Sequence, residues 1–146
     1  MTNKTDTTIT VSQMEELHTA GAGYDILRYV GLPELLGRES HTLLYFMGRK
    51  LARKFELSTM GDIFIIFENL GWGQLELVKN KKKEMVFQLM SDSIVQRLKA
   101  PFEADFRLEA GFLAEALQMT ENCDCECVES VHSRIHQVEF TAVLSR

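Results

Sequence analysis

The stretch Asp105–Met119, DFRLEAGFLAEALQM, constrains this chain more than any other, because it runs straight into the alternating segment CDCECVES. At 100° per residue, Leu108, Phe112, Leu113, Ala116, Leu117 and Met119 fall on one half of a helix. Ala110, Gly111 and Ala114 lie on or beside the other half, where a second backbone can come close. Cys123, Cys125 and Cys127 then alternate with Asp124 and Glu126, the period of a half-buried strand. One residue breaks the pattern. Glu109 projects from the middle of the apolar arc.

The flanking sequence surrounds this unit with helices and hairpins. Residues 1–10 are Thr-rich and carry too little apolar surface to offset ordering entropy, so a disordered tail is expected before a single domain over 11–146. Ser12 and Glu15 have the spacing of a capping box. From Tyr24 a helix runs through Ile26, Leu27 and Val30 and weakens or ends at Gly31 and Pro33, after which Leu35 and Leu36 are expected to dock. A stronger helix is predicted over 41–55, with Leu43, Leu44, Met47, Gly48, Leu51, Ala52 and Phe55 on one half. Arg49, Lys50 and Arg53 take the other side with Phe46 beside them. Gly48 and Ala52, one turn apart, permit close helix packing. Ser58 is expected to cap a third helix through Ile63, Phe64, Ile66, Phe67 and Leu70, ending at Gly71.

Gln74–Leu77 and Met85–Leu89 alternate around a lysine-rich turn, which predicts a hairpin. Ser91 opens a short helix that Pro101 ends. After the helix at 105–119, the cysteine strand and Val138, Phe140, Ala142 and Leu144 form a second hairpin. The order ααα-ββ-αα-ββ predicts an α+β fold with helices packed on one face of a four-stranded antiparallel sheet.

A net charge of −5 over 146 residues argues against a general nucleic-acid binder, which needs surplus Lys and Arg. No apolar run approaches the roughly 18 residues of a membrane span. The polar start lacks the apolar core of a secretory signal. Three cysteines within five positions do not make a disulfide framework, so a reducing cytoplasm fits. Phosphate-cradling Gly-rich loops, GxSxG and HExxH are absent from the sequence.

Alternate residues of a strand stand about 6.5–7 Å apart. The sulfurs around one tetrahedral zinc must lie within roughly 4 Å of one another. An unbulged strand therefore cannot bring Cys123, Cys125 and Cys127 to one zinc. They read as small apolar residues lining a sheet face, with metal or redox chemistry as the alternative. No metal ligand is assigned, since no C-x-x-C loop accompanies His132 and His136. Glu109 has three readings. It is a structural carboxylate paired with Arg28, Arg97, Arg107 or a backbone N–H near the helix start, or the polar handle of an apolar ligand pocket. As a general acid or base it lacks a second carboxylate, nucleophile or histidine to work with, so no catalytic residue is assigned. Arg49, Lys50, Arg53 and Lys54 read as a solvated flank, with docking to an acidic protein or lipid head group as the alternative. Phe46 beside them reads as an exposed aromatic or an interface anchor.

Four segments, LPELLG at 32–37, YFMGRKLARKF at 45–55, GWGQL at 71–75 and LEAGFLAE at 108–115, resemble the YslB family of small bacterial proteins of unknown function. With the order of elements, the resemblance covers nearly everything from Tyr24 onward. Phe46 stands where that family is expected to carry Trp. More distantly, the family resembles the fold shared by 4-vinyl-reductase domains, haem-binding nitric-oxide sensors and one class of transport-protein-particle subunits. Glu-Ala-Gly-Phe at 109–112 carries the likeness to the 4-vinyl-reductase domains. This resemblance implies a helical layer on a four-stranded antiparallel sheet, often dimeric, with an apolar cavity between the two. Those domains often place Cys on both sides of the last turn, but Val138 and its neighbours are not Cys, so no zinc is carried over. The acylated transport subunits use a Cys ahead of the third helix, and here every Cys lies within 123–127.

Together these readings point to a non-enzymatic module holding a small apolar or acyl-like ligand, with Glu109 orienting it and Phe112, Leu113, Met47 and Phe67 lining the cavity. The first alternative is an assembly protein acting as a homodimer through Phe46, Arg49, Arg53 and the small-residue helix faces. The second is a haem-binding sensor with His41 as axial ligand. No cofactor is predicted.

Overall fold

A computed structural model of the chain describes residues 9–12 and 21–146. Its strands are β1 (Gln74–Asn80), β2 (Glu84–Met90), β3 (Cys125–His132) and β4 (Gln137–Leu144). All pairings are antiparallel, in the order β1-β2-β4-β3, so two hairpins lie side by side. The register places Leu75, Leu89 and Val138 in one inward row and Leu77, Phe87 and Phe140 in the next. Alternation turns Glu76, Gln88 and Glu139 to the other face. Lys81, Lys82 and Lys83 form an exposed hairpin tip, as their charge dictates.

Helices cover the inward face. Helix α1 (Ala22–Ile26), a π turn (Leu27–Gly31) and α2 (Leu32–Leu36) form one continuous path, and a 3-10 turn (Gly37–Glu39) leads into α3 (Ser40–Ala52). Then come α4 (Met60–Asn69), α5 (Asp92–Lys99) and α6 (Arg107–Glu121). The α+β class and the order of helices and strands expected from the sequence are therefore borne out.

Helix α6 is buried on both halves, the second being the small-residue side on which the sequence allows another backbone to approach. Every residue from Leu108 to Leu117 is buried. The sheet lies against one side of it and α3 against the other. A Cβ placed on Gly48 would land on the Leu108 carbonyl oxygen, and one placed on Gly111 would land on the Tyr45 carbonyl oxygen. The small residues let two helix backbones touch. This contact also moves the buried stripe of α3 to Ser40, Leu44, Tyr45, Gly48 and Ala52, leaving Leu43 and Leu51 exposed. The core is completed by Phe55, Phe67, Trp72 and Phe112, whose rings meet edge to face with centroids 5.1–5.8 Å apart.

Other local departures have simple causes. Proline at 33 does not end the helical path. The chain widens just before it, where the Leu32 N–H reaches back to the Leu27 carbonyl, and α2 continues to Leu36. Leu35 does not dock but is exposed. Thr59, not Ser58, caps α4, in a reciprocal capping box with Asp62, while the Ser58 N–H donates to the Asp62 carboxylate at 2.9 Å. Residues 1–8 of the expected tail, and Glu15 of the expected capping box near Ser12, lie outside the described residues. Ile9 bridges to Phe55 through its N–H to the Lys54 carbonyl at 2.7 Å.

Gly111→Ala should cost about 3 kcal/mol or more, because backbone atoms of α3 occupy the space of the new methyl group. Gly61→Ala, where a Cβ meets nothing closer than 3.6 Å, should change stability by less than about 1 kcal/mol. Urea denaturation of both variants checks the pair.

Candidate functional site

Glu109 stands in the first turn of α6 and is fully buried. Of its three candidate partners the structure selects Arg28, which arrives from the π turn 81 residues earlier. Arg28 Nη1 donates to Glu109 Oε2 at 2.6 Å, and Nη2 pairs with Oε1. This is the two-pronged match that a guanidinium makes with a carboxylate. Arg28 Nη2 also donates to the Asp105 carbonyl at 3.1 Å. The structural reading of Glu109 is thus met by a specific pair, since a buried carboxylate needs a buried cation.

Around the pair lies a polar shell drawn from distant elements. The Tyr24 hydroxyl accepts from Arg28 Nη1 at 3.2 Å and from Trp72 Nε1 at 3.0 Å. Arg28 lies over the ring of Tyr29, 4.8 Å from its centroid, and that ring stacks on Phe102 at 5.2 Å. Arg97 Nε donates to Asp25 Oδ1 at 3.1 Å. Burial alone would lower the pKa of Arg28, but the charge and hydrogen bonds of Glu109 outweigh it and hold the guanidinium protonated. Burial, then Glu109, pushes the Tyr29 hydroxyl far above its ordinary range.

These contacts turn residues 22–36 inside out. Arg28 and Tyr29 are buried, whereas Ile26, Leu27, Val30 and Leu35 face water. Arg28 was foreseen as one of three partners. Tyr24, Asp25 and Tyr29 were not foreseen, since no periodicity marks them.

The residues expected to line a cavity are distributed as follows. Phe112, Leu113 and Phe67 are fully buried, and Phe67 and Phe112 meet at 5.8 Å. Met47 is partly buried against the same core. Glu109 sits one turn before Phe112 and Leu113, but its carboxylate is engaged by Arg28. Phe55 and Trp72 pack against Phe112, so aromatic rings occupy the region between α4 and α6.

A second polar cluster secures the free edge of β3. Arg49 is not a solvated flank. It turns inward and donates to the Cys125 carbonyl at 2.9 Å, Glu115 Oε1 at 3.1 Å and Gln118 Oε1 at 2.8 Å. The Tyr45 hydroxyl accepts from the Cys127 N–H at 3.1 Å and bonds Glu126, and Gln118 Oε1 accepts from the Cys125 N–H at 3.1 Å. Burial, then the Glu126 hydrogen bond, pushes Tyr45 up to about 12. Helix side chains thus occupy backbone groups that an edge strand otherwise leaves open. Arg53 pairs with Glu115 at 3.1 Å while more than half exposed.

Cys125 and Cys127 are buried on the inner sheet face. Desolvation pushes Cys125 up to about 12 and Cys127 well above its usual value. Among the described residues, no group of three or more His, Cys, Asp or Glu is arranged to hold a metal ion. His41 is exposed at the start of α3. Also among the described residues, no helix is long and apolar enough to cross a membrane.

Residues 21–143 match the protein family of unknown function DUF2507. The chain belongs to the DUF2507 family. It is 36% identical over 131 residues to the uncharacterized protein YslB of Bacillus subtilis, covering 90% of this chain and 88% of that one. The YslB resemblance read from the sequence is therefore borne out. An uncharacterized protein of Methanocaldococcus jannaschii, MJ1642, is 24% identical over 108 residues, 73% of this chain and 65% of its own length. The crystal structure of a vinyl-4-reductase family protein from Methanocaldococcus jannaschii superposes with a TM-score of 0.71 at 19% identity, covering 93% of this chain and 88% of that one. At that identity the DUF2507 chain shares the fold and nothing more specific.

Removing one partner of the buried pair, by Arg28→Met or Glu109→Leu, should cost about 3–5 kcal/mol, and the double variant should cost less than either single one. Urea unfolding of the three variants measures this. The thiols give a second expectation. Unfolded cysteines ionise near about 8.5, whereas folded Cys125 and Cys127 keep their protons to higher pH. The stability they contribute is complete below pH about 8.5 and should be lost as pH rises toward 12. Denaturation midpoints across that range, compared with a Cys125→Ala/Cys127→Ala variant, isolate the effect.

Proposed function

We propose that this DUF2507 protein is a non-enzymatic assembly module that works as a homodimer, joined through the outer face of α3. The observation that carries the reading is that α3 exposes two large apolar side chains on the face opposite its buried one. Leu44, Tyr45, Gly48 and Ala52 pack inward, while Leu43 and Phe46 are 42% and 54% exposed on the far side. Large apolar side chains exposed side by side on one helix face mark a contact site.

The stripe suits a second copy of itself. Glu39, Leu43, Phe46 and Lys50 recur at i, i+4, i+7 and i+11, and all four are exposed. In two antiparallel copies about a twofold axis, Glu39 of one lies beside Lys50 of the other, and Leu43 beside Phe46. Apolar positions then meet apolar ones and opposite charges meet at both ends, as an isologous contact requires. Phe46 serves as the anchor. Arg49 and Arg53, read with it from the sequence, are engaged by Glu115, and Gly48 and Gly111 are used inside the protomer, so the contact falls to Glu39, Leu43, Phe46 and Lys50.

One observation supports a second reading, a small apolar or acyl-like ligand held within the fold. Buried polar atoms beside Glu109 lack partners among the described residues. In that reading the groups around Arg28 orient the ligand, because Glu109 is already paired.

Analytical ultracentrifugation tests the assembly. The protein should sediment as a dimer, Phe46→Glu as a monomer, and Lys50→Glu as a weakened dimer that Glu39→Lys restores. A wild-type chain that stays monomeric at every concentration would overturn the proposal.

A further inference from the structure

We infer that the cluster formed by Arg28, Tyr29 and Arg97 is a binding site for a small neutral carbonyl compound, an amide, ester or ketone rather than an acid. The inference deepens the ligand reading above and rests on it.

Arg28 Nε, the Tyr29 hydroxyl and Arg97 Nη1 are buried and have no hydrogen-bond partner among the described residues. Their side chains belong to residues only 1%, 4% and 5% exposed, so bulk water does not serve them. The groups are tied to one short segment. The Arg28 guanidinium stacks on the Tyr29 ring, and Arg97 is held at 3.1 Å by Asp25, three residues before Arg28. The two arginine nitrogens can only donate, and the hydroxyl can donate or accept. What the cluster lacks is an acceptor.

Charge decides which acceptor fits. Arg28 and Arg97 supply two positive charges, and Glu109, Asp105 and Asp25 stand within 4 Å of them with three negative ones. The excess is already negative. An incoming carboxylate or phosphate would add to it in a buried setting where like charges repel strongly. A carbonyl oxygen offers two lone pairs and no charge. Phe102, stacked on Tyr29 with planes 6° apart and itself partly exposed, is the apolar neighbour nearest the cluster. Tyr24, Asp25, Phe102 and Asp105 each touch the cluster and are each at least partly exposed, so one layer of side chains separates it from the surface.

The test uses benzamide and benzoate, equal in shape and different in charge, with the full-length protein. Arginine side-chain NMR signals and thermal shifts are followed in the wild type, Tyr29→Phe and Arg97→Lys. Benzamide should shift the Arg28 and Arg97 Nε signals and raise Tm, and loss of the hydroxyl or of Nη1 should weaken it roughly three- to tenfold. Two variants are used so that a failure of one to fold leaves the other decisive. Benzoate binding as tightly as benzamide would overturn the neutral-carbonyl assignment and leave the ligand reading standing. Neither probe binding, with only ordered water at the three atoms in a crystal of the soaked protein, would overturn both. Benzamide binding unchanged in both variants would place the contact elsewhere and overturn the inference.

Discussion

The fold depends on how one carboxylate is accommodated inside it. Glu109 lies on α6, which is buried from Leu108 to Leu117 between the sheet and α3. No water reaches that position, so a cation must be brought to it or the helix cannot sit there. Arg28 is that cation, and bringing it dictates the course of residues 22–36. The segment turns Arg28 and Tyr29 inward and leaves Ile26, Leu27, Val30 and Leu35 outside, the reverse of an ordinary surface helix. The π turn at Leu27–Gly31 is where this inversion occurs.

A second constraint is the direct contact of two helix backbones. Gly48 and Gly111 remove the side chains that would hold α3 and α6 apart. Bringing α3 so close lets Tyr45 and Arg49 reach across to the outer edge of β3, and Gln118 of α6 completes the cover. The same closeness fixes which side of α3 faces outward, and that side carries Leu43 and Phe46 between Glu39 and Lys50. Packing inside the protomer and the proposed contact between copies are therefore two consequences of one small-residue seam. The polar atoms left over around Arg28 follow from the other constraint, because a guanidinium brought in for one carboxylate carries more donors than that carboxylate can use.

The parts of this structure that were legible in the sequence are those set by local pattern. Alternation in Met85–Leu89 and Val138–Leu144, the Gly71 stop and the small residues of α6 each specify their own element, and together they specify the fold class. Assignments that depend on distant partners were not legible. Arg28, Arg97 and Arg107 were equivalent on paper, since nothing local to any of them reveals a carboxylate 81 residues away from the first. Arg49 looked like one more solvated cation because the carbonyl that draws it inward belongs to β3. Leu35 looked like a docking residue because apolar character was read as burial, whereas a polar anchor on the same segment determined which side faces the core. Phe46 was legible as an exposed aromatic, since the basic residues on that side of α3 are Lys50 and Arg53 as well as Arg49.

The central claim is that the Arg28–Glu109 pair, more than apolar burial, holds residues 22–36 on the body of the protein. Native-state hydrogen exchange on an Arg28→Met/Glu109→Leu variant tests it directly. The account expects amide protection to fall across residues 22–36 while α3, α6 and the sheet stay protected. Protection in that segment equal to the wild type, or lost evenly throughout the chain, would contradict it.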